Sequence, residues 1–337
     1  MSPTTAPTVT VENLLQDKAQ NLQLELLTEG CDLKRPIGSA TVSSPGLVLA
    51  GYRDRHPRGR IQVLGETEIA YLRSLGDDER RSALEHFFSL AMPAVVVTKD
   101  QQVPAPVLEV ARTHGVPLLR SRLKTGEFYR RIQPWLDESF APRTTMHGSM
   151  ADVYGVGLLF VGRSGIGKSE CVLDLVERGH RLVADDLVCI TKRGNDVLIG
   201  RGHESHEHHM EIRGIGLVNI KRLFGIRAIR QQKRIEVVVQ LVDWDSTVAY
   251  ERTGLDTATV DILGVEVPTV MVPLNAGKNI TVISEVVAMN LLLLYSGHET
   301  AREFNARLIE RMERGGRPDG RRDPMTNVRE YLEQDYE

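Results

Sequence analysis

The sequence predicts an α/β protein of two domains: a small α/β domain, then a second with a largely β core and flanking helices. Three observations carry this. The chain has 337 residues, beyond the usual size of one hydrophobic core, so two domains of roughly 150 residues each are expected. Its first part alternates short apolar runs with helically spaced ones, and its second opens on an apolar run leading through a glycine-rich turn into a helical pattern. Hydrophobic residues make up 41% and charged residues 26%, the balance of a globular chain rather than a disordered one.

Residues 1–10 are rich in Thr and Pro and have neither the basic start nor the apolar stretch of a signal peptide, so a frayed terminus is expected there. β-like runs follow at 46–50, 61–64, 94–98 and 116–119, separated by helical patterns at 66–75, 77–90 and 106–114. Residues 1–136 are therefore the expected N-terminal domain, and no catalytic constellation falls in it. Residues 137–145, with Pro142 and several charges, read as a linker, residues 146–314 as the second domain and 315–337 as a polar tail.

The run 153–161 predicts a buried strand, and Val172, Leu173, Leu175 and Val176 a helix that Gly179 stops. Further strands are expected at 182–186, 237–242 and 267–272, and helices at 284–295 and 299–313. The most apolar stretch, 286–295, is half the length of a membrane span of about 20 residues and contains Asn290, so it predicts a buried helix and no membrane partner. A net charge of −3 with interspersed signs gives no global electrostatic reason to bind nucleic acid. Cys31, Cys171 and Cys189 are odd in number and lack paired spacing, which points to a reducing, cytoplasmic setting.

Gly162-Arg163-Ser164-Gly165-Ile166-Gly167-Lys168-Ser169 satisfies the Gly-x4-Gly-Lys-Ser pattern of a P-loop, and it lies between a strand and a helix as that loop requires. Glycines let the backbone wrap phosphate oxygens, and N–H groups with the helix N-terminus offset their charge. Lys168 is then expected on the β and γ phosphates of ATP, and the Ser169 hydroxyl on a Mg2+ ion. Asp185 and Asp186 close the strand 182–186, where one carboxylate can act near the metal and the other take a proton from an attacking hydroxyl. Adjacent residues on a strand face opposite ways, so both can serve one site only if the strand has ended.

Met210-Glu211-Ile212-Arg213-Gly214-Ile215-Gly216 sets a carboxylate and a guanidinium beside two glycines, an arrangement suited to a phosphate or a metal, against which stands a surface ion pair. His203, His206, His208 and His209 cluster with Glu204 and Glu207, and are assigned to a solvated loop without a metal. His147, alone before the P-loop strand, reads by itself as a structural histidine.

With these motifs in hand, residues 10–310 resemble HPr kinase/phosphorylase. The resemblance rests on Gly46-Leu47-Val48-Leu49-Ala50-Gly51-Tyr52, Arg60-Ile61-Gln62-Val63-Leu64-Gly65, Val116-Pro117-Leu118-Leu119 and Ala141-Pro142-Arg143-Thr144-Thr145-Met146-His147-Gly148. It continues through the P-loop, Gly179-His180-Arg181-Leu182-Val183-Ala184-Asp185-Asp186 and the 210–216 motif. It implies a P-loop kinase that phosphorylates a serine of the phosphocarrier HPr with ATP. It also implies removal of that phosphate with inorganic phosphate, giving pyrophosphate, and so a role in regulating carbon metabolism and sugar uptake. By the same resemblance His147, Lys168, Asp186 and Arg252 match catalytic positions, with Asp185 auxiliary, and Ser169 and Glu211 match magnesium positions. A homo-hexamer is implied, activated in many members by fructose 1,6-bisphosphate.

The chain departs from the family where a loop linked to dephosphorylation usually carries two arginines. Here it reads Val272-Pro273-Leu274-Asn275-Ala276-Gly277-Lys278-Asn279, so bidentate phosphate contacts are weakened there. Two other readings stay open from the residues alone: a P-loop phosphotransferase with a small-molecule acceptor, and a nucleotide-regulated binding module. Asp186 and Arg252 favour an enzyme, because a switch needs no base for a hydroxyl.

Overall fold

The computed structural model describes residues 8–52, 58–203, 208–245, 258–275, 278–298 and 300–313. Backbone contacts divide it into two units, Met1–Met146 with Cys189–Ile199, and His147–Val188 with Gly200–Glu337. Both are α/β.

The first unit runs α1 (Val11–Lys18), β1 (Leu24–Leu26), α2 (Gly46–Leu49), β2 (Gln62–Leu64), α3 (Glu66–Ser74), α4 (Asp77–Phe88), β3 (Val95–Val97), α5 (Ala105–Thr113), β4 (Leu118–Ser121) and α6 (Thr125–Ser139). The sheet order is β1-β4-β3-β2, with β2, β3 and β4 parallel and β1 antiparallel. Parallel neighbours need crossover helices, which α3 with α4 and then α5 supply. Alternation sorts the strand residues into two cores: Leu64, Val95, Val97 and Leu118 meet one cluster, while Val63, Val96 and Leu119 meet the other with Phe128, Ile132 and Leu136 of α6.

The run 46–50, expected as a strand, is instead the short helix α2. A brief unbroken apolar run has no period that separates strand from helix. Here Leu49 and Ala50 bond back to the carbonyls of Pro45 and Gly46, which buries Val48 and Leu49 together on one side. Residues 137–145 hold the end of α6 and the start of β5 (Arg143–His147).

The second unit continues with β6 (Ser149–Val153), β7 (Val156–Val161), α7 (Lys168–Glu177) and β8 (Arg181–Ala184). β9 (Leu187–Arg193) and β10 (Val197–Gly202) straddle the division between units. Then come β11 (His209–Ile212), β12 (Gly216–Asn219), α8 (Ile220–Phe224), β13 (Gln232–Arg234), β14 (Val237–Asp243), β15 (Ala258–Ile262), β16 (Val265–Leu274), α9 (Ile280–Tyr295) and α10 (Thr300–Glu313). Six strands form a mixed sheet in the order β15-β16-β14-β7-β6-β8. The expected strand 153–161 is two strands, because Tyr154 (φ 51) and Gly155 (φ 84) turn the chain between the paired Val153 and Val156. Positive φ at both central residues is the hairpin geometry that matches strand twist.

α7 buries Cys171, Val172, Leu175 and Val176 against this sheet, each Val or Leu contributing about 1.5–3 kcal/mol of burial. α9 forms as expected, with Asn279 capping it by accepting from the Val282 N–H at 3.1 Å, but it is not buried as its composition predicts. Val286 and Tyr295 are 54% and 64% exposed, while Thr281, Ser284, Glu285 and Ala288 face inward. The inward polar groups are tied to α7 and the residues just after it: Thr281 to Asp174, Ser284 to Cys171, and Glu285 to Arg178 and His180. Paired polar groups can therefore occupy the inner face. Among the described residues no helix is long and apolar enough to cross a membrane, and Cys31, Cys171 and Cys189 form no disulfide with one another.

Candidate active site

The sheet itself gathers the chemistry. β7 and β8 are both antiparallel to β6, so they run the same way and end at the same edge. The P-loop leaves the end of β7 and the aspartate pair leaves the end of β8, on either side of Ser149 at the start of β6. Gly148 closes the gap: its N–H donates to the Asp186 carbonyl at 3.1 Å, and a Cβ there would stand 2.5 Å from the Phe160 oxygen. Only glycine fits so close to a neighbouring strand. The residue before it, His147, is thereby set beside Asp186.

The two aspartates then separate. β8 ends at Ala184, and Asp185 remains buried in the cavity wall. Its Oδ1 accepts from Ser149 Oγ at 2.5 Å and Ser169 Oγ at 2.9 Å, and its Oδ2 from the Glu211 N–H at 3.4 Å. Burial pushes this carboxyl upward, opposed by those bonds and by the Asp186 N–H. Asp186 has φ +64, a left-handed conformation that costs a non-glycine residue about 1–2 kcal/mol and that aspartate tolerates better than most. The strand has indeed ended, and this turn sends the second carboxylate to the rim, where its Oδ1 lies 3.1 Å from His147 Nδ1, both side chains half-exposed.

Lys168 is buried in the first turn of α7, and its Nζ donates to the carbonyls of Gly162 at 3.1 Å and Arg163 at 3.0 Å. Desolvation lowers its pKa, with Asp185, Asp186 and Glu170 pulling the other way. Arg163 points outward to a bidentate pair with Asp243 at 2.6 and 2.8 Å, and Ile166 anchors the loop in the core. The β11–β12 hairpin pairs Glu211 with Leu217 and brings Glu211 to the same cavity, with Met210 and Ile212 buried behind it.

The cavity is about 340 Å3 and is lined by His147, Lys168, Ser169, Asp185, Asp186 and Glu211, with the P-loop residues Ser164, Gly165 and Gly167. The structure thus brings together every expected site residue it describes except Gly162, Arg163 and Ile166, which frame the loop without lining the cavity. Arg252 and His206 lie outside the described residues. Asn275 and Lys278 are exposed beyond β16, and neither lines the cavity. Of the other clustered histidines, His209 sits with Nε2 3.0 Å from Asn219 Nδ2.

Sequence reasoning missed Ser149, for which no motif existed, because its role comes from a partner 36 residues away. Among the described residues no three His, Cys, Asp or Glu side chains build an all-protein metal cage. The Ser169 hydroxyl with the Asp185 and Glu211 carboxylates is instead an all-oxygen set with space beside a phosphate loop, which fits magnesium, an ion that keeps waters and takes phosphate oxygens.

The families described as HPr Serine kinase N terminus and HPr Serine kinase C-terminal domain match residues 9–136 and 138–308. An HPr kinase/phosphorylase of Chloroherpeton thalassium is 44% identical over 317 residues, 94% of this chain and 92% of its own. Relatives of the same name from Geobacter sulfurreducens and Bacillus pumilus are 43% and 40% identical, covering 90% and 89% of this chain and 95% and 97% of theirs. Among solved structures, the Hpr(Ser) kinase/phosphatase of Coxiella burnetii aligns with 31% identity and a TM-score of 0.43, over 48% of this chain and 98% of that one.

Proposed function

The chain belongs to the HPr kinase/phosphorylase family, and on that premise we propose that Asp186 is its acid/base, His147 the group that orients that carboxylate, and Lys168 with Arg252 the cations on the transferring phosphoryl group. The enzyme is a serine protein kinase and phosphorylase that acts on HPr with ATP as donor. The observation that carries the assignment of roles is the split between the two aspartates: one buried under Ser169, the other at the rim on His147.

In the forward direction Asp186 takes the proton of the acceptor serine as the serine oxygen attacks the γ-phosphorus and ADP leaves with the bonding pair. In reverse, protonated Asp186 returns the proton to the serine oxygen while inorganic phosphate takes the phosphoryl group and becomes pyrophosphate. Lys168 exchanges its two P-loop carbonyls for phosphate oxygens. Ser169 and Glu211 would hold magnesium, with Asp185 orienting Ser169, and the ion's charge offsets that of the phosphates.

A protein acceptor fits the rim, because the hairpin that carries Glu211 exposes Ile215 and Leu217 at 75% and 67%. The exposed apolar face of α9 supports a homo-hexamer, in which a second copy covers it. A cytoplasmic setting suits an ATP-using enzyme whose three cysteines form no disulfide with one another. The test is incubation of the purified chain with magnesium ATP and HPr, read by acceptor mass. A gain of one phosphate on a serine is the expected result; nucleotide binding without transfer would make the protein a switch instead.

A further inference from the structure

We propose that Arg213 is a phosphate-binding residue of this cavity, contacting the terminal phosphate of ATP and the corresponding phosphate of pyrophosphate. The inference rests on the P-loop reading above and adds a cation that the 210–216 motif supplies beside Glu211.

Arg213 follows β11 directly, and its guanidinium lies across the P-loop at Gly165. A Cβ built on Gly165 would stand 3.2 and 3.5 Å from the two terminal nitrogens and 3.6 Å from Cζ. The loop therefore has glycine there for two reasons, its positive φ of 74° and the fork seated on it. Arg213 lines the same cavity as Lys168, Ser169 and Asp186. Among the described residues neither a carboxylate nor a carbonyl takes a hydrogen bond from it, in contrast to Arg163, which Asp243 neutralises. Its backbone is held all the same: Met210 and Ile212 are buried, the Glu211 N–H is tied to Asp185, and the Ile215 N–H closes the turn on the Ile212 carbonyl at 3.1 Å. An unpaired fork on an anchored hairpin, aimed across a phosphate loop, is preorganised for an anion, and a guanidinium matches two phosphate oxygens at once.

The charges call for it as well. The cavity wall carries Asp185, Asp186, Glu211 and Glu170 against Lys168 and Arg213. A triphosphate brought into this wall needs every cation available, and Arg213 adds one to Lys168, Arg252 and the magnesium that Ser169 and Glu211 would hold.

The experiment measures binding of ADP and of a non-hydrolysable ATP analogue to the full chain, wild type, Arg213→Ala and Arg213→Lys, by titration calorimetry. A lost charge-assisted bond to the outer phosphate weakens the ATP analogue by about 10-fold to 100-fold in Arg213→Ala and leaves ADP nearly unchanged, with Arg213→Lys between. Equal loss for both nucleotides, or none for either, overturns the proposal. Neither result touches the HPr kinase reading, which the acceptor mass decides separately in the wild type.

Discussion

His147 Nδ1 stands 3.1 Å from Asp186 Oδ1, whereas Asp185, one residue earlier, is buried and held by Ser149 and Ser169. The two carboxylates therefore sit in different surroundings, and replacing each with its amide tests the separate roles proposed for them. Asp186→Asn keeps shape but accepts no proton, so nucleotide binding should persist while transfer to serine falls roughly 10²-fold or more. Asp185→Asn disturbs the grip on Ser169, and its main effect should be a higher magnesium requirement. Rate against magnesium concentration for the two variants checks both. If Asp185→Asn loses transfer at saturating magnesium and Asp186→Asn does not, the roles are reversed.

Among the described residues the Lys168 side chain bonds to two P-loop carbonyls and nothing else, and α7 is anchored by Val172, Leu175 and Val176 without it. Lys168→Ala should therefore fold normally and lose phosphoryl transfer in both directions, since several kcal/mol of transition-state stabilisation correspond to orders of magnitude in rate. Circular dichroism alongside forward and reverse assays separates fold from chemistry. Near-normal turnover in a folded variant would remove the lysine from the mechanism.

Asn275 and Lys278 are exposed beyond β16 and stand where the family usually has two arginines. Dephosphorylation brings inorganic phosphate against a phosphoserine, two anions together, and should depend on such donors more than the forward reaction does. Asn275→Arg with Lys278→Arg is expected to raise pyrophosphate release severalfold and change ATP-dependent phosphorylation little. Equal gains in both directions would assign the loop to partner docking instead.

Glu285 is buried on α9 and joins Arg178 at 2.9 and 2.7 Å and His180 at 3.1 Å. The Arg178 bonds, then His180, hold its carboxyl below the ordinary glutamate range despite burial. A depressed folded value means stability that is present above the unfolded value and is lost as pH falls through the folded one. Glu285→Gln should thus lower the thermal midpoint at neutral pH, and the gap to wild type should narrow in acid. A gap that stays constant down to the acid limit would show that packing, not the charge, is what the mutation removes.

Much of the site was legible before any coordinates. The strand, Gly162–Ser169 turn and helix follow from local spacing, because a P-loop is made by consecutive backbone groups and needs no distant partner to take shape. The aspartate pair was legible for the same reason, as a short motif beside a turn, whereas Glu211 was left open by its own motif and singled out by the resemblance. Other features were decided only in three dimensions. Which aspartate reaches the rim depends on the end of β8, the turn at Asp186 and the approach of His147 and Ser149 from β5 and β6. The 210–216 motif offered the Arg213 guanidinium for a phosphate or a metal, but its seat over Gly165 came only from the folded hairpin. The apolar composition of α9 predicted burial, but its most buried positions include Thr281, Ser284 and Glu285, because α7 and the residues after it offered them partners and left Leu292, Leu293 and Leu294 outside. Local geometry is set by neighbours in sequence; the choice of which side chains meet is set by the sheet order that brings distant segments to one edge.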